Sequence, residues 1–383
     1  MKGVPMKRFA LFTVLLAFLF FGGAVSISRG EESANPDPAL LRSEDWTMVI
    51  IPDPQAYSRY ARNQGIFELV TAWIAENREK LNIQQVICVG DLVESNGLQE
   101  ADGKFANQTG TQMWKSTSRA FERLDGLYPY ILCTGNHDYG PDIYPEGVHY
   151  GVRSSETRES RFNEFFPIDR NPALKGVLVE TAPNAFGVQT LENAAYEWTA
   201  PGGKKILAVA LEFYPREAAV EWAKEIFARP EYRDHFGIVV THSFIRGYKK
   251  DSAHIKKENY GFCKEGNSGS QLWEKLVKPA ANIRMVICGH VAAPDDMDGS
   301  TGFRVDPNDS GKPVYQILFD TQAMGGGWEG NGGDGWIQLL EFNRDLTHVS
   351  VRTFSPLMAI SPASRDKQWY RDDKREFEFD IEE

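Results

Sequence analysis

The chain has 383 residues, 42% of them hydrophobic and 25% charged, enough to bury a sizeable core and too apolar for a disordered chain. Its 53 acidic side chains outnumber 42 basic ones, for a net charge of −11. That bulk acidity repels a nucleic-acid backbone, so binding of nucleic acid is not expected from bulk charge without a local basic patch.

The N-terminus reads as an export signal. Lys2, Lys7 and Arg8 precede an apolar run over 9–21, broken by Gly22 and Gly23. Ala24-Val25-Ser26 then places small residues where a signal peptidase cuts, which predicts a signal peptide over 1–26. The run is short for a spanning helix. The competing reading is an uncleaved anchor. The expected location is periplasmic or extracellular, with membrane contact only through this segment. A polar, Pro-containing linker over 27–44 follows.

Strands and helices then alternate. The uninterrupted Met48-Val49-Ile50-Ile51 predicts a buried strand over 47–51. Ile66, Phe67, Val70, Trp73, Ile74 and Leu81 recur at helical spacing, predicting a helix over 64–81. Strands at 85–89 and 130–133 bracket a helix at 111–124. The segment 139–200 is rich in Gly, Pro, Tyr and charge, and reads as a loop-rich cap insertion over the site. Regularity returns with a strand at 205–213, a helix at 216–228 and a strand at 237–240. A short helix at 272–277 has Asn267 or Ser268 as its expected cap. A strand follows at 284–287, then three more at 314–319, 336–342 and 347–353. The nine residues from Gly325 to Gly333 include six glycines, which implies positive φ or a close approach to another group. A single domain is expected over 45–355, with a C-terminal tail over 356–383. The alternation followed by a run of strands predicts an α/β fold.

Cys88, Cys133 and Cys288 lie inside apolar runs and read as buried thiols. Strand interiors seldom offer the Cα spacing of a disulfide. Cys263 sits in a Gly-rich loop.

Five segments place metal-ligand side chains just after apolar runs: Ile50-Ile51-Pro52-Asp53-Pro54-Gln55, Gly90-Asp91, Gly135-Asn136-His137-Asp138, Thr241-His242-Ser243 and Gly289-His290. Oxygen ligands beside imidazoles suit Mn, Fe or Zn better than Ca or Mg. Such a cluster without a cysteine ligand points to metal-assisted hydrolysis, most often of phosphate esters. Asp53 and Gln55 are two apart, so in an extended stretch both face one way. The two carboxylate oxygens of Asp91 suit it to bridge two ions. Asn136, His242 and His290 offer an amide oxygen and two imidazoles to the second. His137, beside Asn136 but pointing elsewhere, is the candidate general acid, with Asp138 expected to orient it.

This set resembles the calcineurin-like metallophosphoesterases, whose pattern is Asp-x-His, Gly-Asp, Gly-Asn-His-Asp/Glu, a lone His and Gly-His-x-His. Order and rough spacing match over 47–290. It is most similar to exported bacterial members that begin with Asp-Pro-Gln and carry a tail like that at 316–320 and 331–342 here. The resemblance implies a four-layer αββα sandwich of two mixed sheets, with two divalent metal ions at the carboxyl ends of strands. It places Asp53, Gln55 and Asp91 on the first metal, and Asp91, Asn136, His242 and His290 on the second.

Two departures fall on the first metal. Gln55 replaces a His, and Ala292 stands where the last His of Gly-His-x-His belongs. Loss of imidazole shifts that site toward a Mn-like or Mg-like preference, and Asp295, Asp296 and Asp320 are candidate sources of a replacement oxygen. Glu94 and Asn96 are candidates to orient ligands. His149, His254, His235 and His348 are expected as ordinary surface histidines. Tyr139, Tyr144, Tyr150, Phe162, Phe165 and Phe166 form either a substrate wall or a small local core.

The expected function is hydrolysis of a phosphomonoester or phosphodiester substrate by metal-bound hydroxide. The alternative, from another class, is a non-catalytic binding or surface protein that keeps the fold. Retention of His137 and Asp138 argues against it, because a dead site needs no proton donor. Oligomeric state is not legible.

Overall fold

The computed structural model describes residues 38–382, apart from 141, 145–146, 150–156 and 260. The expected signal segment and most of the linker lie outside the described residues. No helix among the described residues is long and apolar enough to cross a membrane.

Strand β1 (Trp46–Ile51) is buried throughout; its one hydroxyl, on Thr47, donates to the Leu81 carbonyl at 2.7 Å. Helices α1 (Gln55–Arg59) and α2 (Ala61–Glu76) lead to β2 (Ile83–Cys88). The spacing extends the expected helix to Leu81, but α2 ends at Glu76. The Asn77 side chain takes the Trp73 carbonyl at 2.8 Å and turns the chain out of the helix. Helix α3 (Gly110–Phe121) opens on a capping box between Thr109 and Gln112 and is followed by β3 (Ile131–Leu132). A small ribbon, β4 (Asp142–Tyr144) with β5 (Gly147–His149), precedes α4 (Phe162–Phe165).

Strands β6 (Leu178–Pro183) and β7 (Gln189–Thr199) form a hairpin at one edge of the second sheet. The second half of the expected cap insertion is therefore part of the sheet. Its period is masked because β7 buries Thr190, Glu192 and Asn193 beside apolar residues. The chain continues through β8 (Lys205–Ala210), α5 (Glu217–Phe227), β9 (Phe236–Val240) and α6 (Gly269–Leu272). Ser268 caps α6 by accepting from the Gln271 N–H, whereas the Asn267 side chain donates to the Pro215 carbonyl. Then come β10 (Ile283–Cys288), α7 (Met297–Ser300), β11 (Thr301–Pro307), β12 (Pro313–Phe319), β13 (Ile337–Phe342), β14 (His348–Phe354), α8 (Pro356–Ala359) and β15 (Phe377–Asp380). The segment expected as a C-terminal tail thus supplies the edge strand of the first sheet.

The first sheet has the order β15-β14-β13-β1-β2-β3, and the second β11-β12-β10-β9-β8-β7-β6. In the first, β1, β2 and β3 run parallel. In the second, β8, β9, β10 and β12 run parallel. Antiparallel strands complete both, so each sheet is mixed. The alternation along β8 shows how the layers arise. Ile206, Ala208 and Ala210 join the core shared with the first sheet. Leu207 and Val209 pack outward with Ala219, Val220, Ala223 and Ile226 of α5. Helices α2 and α3 add Phe67, Val70, Ile74, Met113 and Phe121 to the core on the first sheet's side. Two mixed sheets flanked by helices make the α/β sandwich expected from the resemblance. The buried cysteines Cys88, Cys133 and Cys288 are not in disulfides.

Candidate metal centre

Every candidate ligand sits just past the carboxyl end of a parallel strand. Asp53, Asp91 and Asn136 follow β1, β2 and β3; His242 and His290 follow β9 and β10. The strands' apolar side chains lock them in the core, and the first polar residue after each emerges at the same end. Asp53 and His242 are fully buried, and Gln55, Asp91 and Asn136 nearly so.

His242 is the hub. Its Nδ1 lies 2.7 Å from the Val89 carbonyl, so that nitrogen carries the proton and Nε2 presents a lone pair. Around Nε2 stand Asp91 Oδ2 at 3.2 Å, Asn136 Oδ1 at 3.2 Å, His290 Nδ1 at 3.2 Å and Asp53 Oδ2 at 3.9 Å. His290 is oriented from behind, its Nε2 3.3 Å from the Glu258 carboxylate, which leaves Nδ1 as the acceptor. All these atoms are acceptors converging on one point. Donor atoms of Asp91, His242 and His290 lie within 4.8 Å of one another, a group that could hold a metal ion. An ion there satisfies lone pairs that otherwise repel.

The backbone is bent to achieve this. Asp91 and His290 have φ of 49° and 75°, left-handed values uncommon for residues other than glycine. Each costs about 1–3 kcal/mol and persists only where the surroundings hold it, as at functional sites. Gly90, with φ 102°, lies so near that a Cβ would stand 2.7 Å from His242 Nδ1. At Gly135 a Cβ would come within 2.1 Å of Asp91 Oδ1.

The carboxyls feel one another. Burial pushes the Asp53 carboxyl well up, and the neighbouring Asp320 and Asp91 carboxylates push it further. Burial also raises Asp91, but the His242 and His137 imidazoles outweigh it and bring Asp91 down to about 2. For His242, burial disfavours the charged ring, but the Asp91 carboxylate prevails and raises it.

Gln55 donates through Nε2 to Gln322 Oε1, while its own Oε1 is buried without a hydrogen-bond partner. Asp53 Oδ1 is likewise buried without one. Of the suggested replacement oxygens, Asp320 is fully buried at the end of β12 and faces Asp53. Asp295 accepts from the Gly326 N–H, and Asp296 pairs with Lys249. Ala292 is half-buried.

His137 is half-buried, its Nδ1 2.6 Å from the Glu94 carbonyl. That carbonyl orients the ring, which is a correction to the role expected of Asp138. The Asp138 carboxylate instead accepts from the Gly135 and Val93 N–H groups, at 2.8 and 3.2 Å, and braces the loop. Burial, and then the Asp91 charge, raise Asp138 to about 8. Burial lowers His137, but the Asp91 and Glu94 carboxylates more than offset it and raise it. The Glu94 carboxylate pairs with Arg59 at 3.3 Å. Asn96 accepts from Trp114 Nε1 at 3.0 Å and the Arg161 N–H at 2.9 Å, so it pins the insertion rather than a ligand.

Phe162, Phe165 and Phe166 pack round Trp114, a local core rather than a substrate wall. Tyr139 joins a small core with Phe213 and Tyr214. The side chains of Tyr144, His149 and Tyr150 lie outside the described residues. His254 stacks on Trp273, and His235 is buried with its Nε2 3.1 Å from Glu197, so neither is the surface residue expected. Glu258 and Gln322 were not legible: neither lies in a motif, and both reach the site only through the tertiary fold. A cavity of about 490 Å³ near Phe227, Leu276 and Pro279 involves none of the site residues.

The chain is 26% identical over 337 residues to YvnB, an uncharacterized protein of Bacillus subtilis (strain 168); the match covers 86% of this chain. This chain spans only 21% of that relative's length. Among solved structures it is similar to GAP50, described as the anchor in the inner membrane complex of Plasmodium, at 12% identity and a TM-score of 0.43. That likeness covers 88% of this chain and 90% of the other. The family model for calcineurin-like phosphoesterases matches residues 47–294, more than half of the chain. The protein belongs to the calcineurin-like phosphoesterase family.

Proposed function

We propose that this protein is an exported, metal-dependent phosphoesterase that hydrolyses phosphomonoesters or phosphodiesters. The observation that carries the reading is the convergence of acceptor atoms from Asp91, Asn136, His242 and His290 on one buried point. Asp91, Asn136, His242 and His290 would hold one divalent ion, and Asp53, Gln55 and Asp91 another. Divalent ions at such a site polarise phosphoryl oxygens and acidify water.

The protein's own residues do the rest. Val89 and Glu258 hold the two imidazoles in the tautomers that present lone pairs to the site. The His137 backbone N–H donates to Asp91 Oδ1 at 2.8 Å and fixes that carboxylate's rotation. The Glu94 carbonyl engages His137 Nδ1, leaving Nε2 to deliver a proton to the leaving oxygen as the P–O bond breaks. The Asp91 and Glu94 carboxylates keep that ring protonated to higher pH, as an acid requires. Export rests on the basic and apolar N-terminal segment alone.

The test is hydrolysis of an aryl phosphomonoester and an aryl phosphodiester by protein stripped of metal and reloaded with Mn²⁺, beside the His137→Ala variant. Turnover that needs Mn²⁺ and falls in the variant supports the reading and gives the bond preference. No turnover of either ester by folded, metal-loaded protein favours the non-catalytic alternative.

A further inference from the structure

We infer that Asp320, held by Gln322, is a ligand of the first cation site and replaces the imidazoles missing at Gln55 and Ala292, so that this site is built of oxygens alone and takes a hard divalent cation such as Mn²⁺ or Mg²⁺. The inference rests on the metal-dependent reading above; it selects Asp320 from the three candidate oxygens and adds Gln322, which no motif contains.

Topology supplies the position. Strand β12 lies beside β10 and parallel to it, so Asp320 emerges next to His290 at the same end of the sheet. There it faces Asp53, which follows β1 of the other sheet. Asp53, Asp320 and Asp91 are each 0–1% exposed. Among the described residues, neither lysine nor arginine forms an ion pair with any of the three; Asp53 and Asp91 instead lie 3.9 and 3.2 Å from Nε2 of the His242 imidazole. Three carboxyl groups are thus buried together beside two imidazoles without a lysine or arginine partner, and buried groups of that kind are neutralised, paired or bound to metal.

Gln322 shows that the carboxylate is placed. Its backbone N–H donates to Asp320 Oδ1 at 3.1 Å, and its side-chain Nε2 donates to Asp320 Oδ2 at 3.1 Å. Its Oε1 accepts from Gln55 Nε2. One amide therefore clamps both residues. It holds the Asp320 carboxylate from behind and anchors the Gln55 amide through its nitrogen, which fixes where the Gln55 oxygen lies. That oxygen, Gln55 Oε1, and Asp53 Oδ1 are both buried without a hydrogen-bond partner. Oxygens that lack a donor, beside an oriented carboxylate, match the need of a hard cation. A clamp of this kind would be wasted on an imidazole site, where the ligand is turned by a carbonyl or carboxylate.

The experiment is titration of metal-free protein with Mn²⁺, followed by calorimetry and electron paramagnetic resonance. It compares wild type, Asp320→Asn and Gln322→Leu, with circular dichroism to establish folding. The expected result is two Mn²⁺ per wild-type chain with a spin-coupled spectrum. Asp320→Asn should bind one, uncoupled, with the other affinity unchanged. Gln322→Leu should weaken one site at least tenfold and leave the second alone, and it serves if Asp320→Asn does not fold. Wild-type stoichiometry and affinity in folded Asp320→Asn, or in Gln322→Leu if only that variant folds, would overturn the inference. A wild-type chain that binds no Mn²⁺ instead overturns the metal-dependent reading on which it rests.

Discussion

Asp91 links the His137 loop to His242. One oxygen accepts from the His137 backbone N–H at 2.8 Å, and the other stands 3.2 Å from His242 Nε2. Asp91→Asn keeps the shape but replaces an oxygen lone pair with an N–H aimed at an imidazole lone pair. Groups one bond removed from a metal ligand cost about 10–100-fold when lost, so a ligand should cost at least about a hundredfold. The expected outcome is turnover reduced by that factor with an unchanged circular dichroism spectrum; retained turnover in a folded variant would sink the bridging role. His137 is tested through the leaving group. His137→Ala should slow poor leaving groups such as alkoxides by about 10²–10⁴-fold. It should slow p-nitrophenolate much less, because that oxygen needs no proton. Equal losses across leaving groups would point to a structural role. The residues themselves were legible because each motif follows a local apolar run. The partners that tune them were not. Gln55 and Gln322 are 267 positions apart, and nothing around Gln322 announces the pairing.

At the scale of elements, the strand-to-loop turns decide the geometry. Gly90 takes φ 102°, with His242 Nδ1 and the Gly135 backbone against the place a Cβ would occupy. Gly90→Ala should therefore destabilise the protein by about 2–4 kcal/mol and lower metal affinity with it. Urea unfolding and a Mn²⁺ titration measure the two effects. A second test concerns the join between β7, β8 and α5. Glu212, just past β8, is 1% exposed and accepts from Asn193 Nδ2 at 2.9 Å and Arg216 Nε at 2.7 Å, with Arg158 at 3.6 Å. Burial pushes its carboxyl up, but the two guanidinium groups outweigh burial and hold it below its ordinary value of 4.5. A carboxyl depressed on folding stabilises fully above its unfolded value, and the gain is lost as pH falls through the folded value. Stability should accordingly fall with acid below about pH 4.5. Glu212→Gln should cost about 3 kcal/mol at neutral pH by leaving buried guanidinium groups unpaired. It should also flatten the acid limb, which thermal unfolding at stepped pH will show. The pairing was not legible, because Arg158 reads from the sequence as one more charge in an irregular segment.

For the whole molecule, the last strand ties the two sheets together. Strand β15 pairs with β14 of the first sheet, while Phe377 and Phe379 lie against Phe303 of β11 at 4.9 and 5.1 Å. Phe379 also stacks on Tyr315 of β12 at 4.6 Å. Ending the chain at residue 376 should remove that apolar contact and cost about 2–4 kcal/mol, two half-buried phenylalanines' worth. The midpoint of urea denaturation will measure it; an unchanged midpoint would show the strand to be ornamental. The sequence by itself determined the buried strands, the polar residue that follows each, and the family they point to. Hydrophobic runs and the polar residue that ends them are local properties, and strand burial then forces that residue to the rim. Only the tertiary structure decided that 178–199 is a sheet hairpin, that β15 closes an edge, and that Asp320 rather than Asp295 or Asp296 faces Asp53. Those outcomes depend on which distant segments meet across the sandwich, and pairing at long range leaves no periodic mark along the chain.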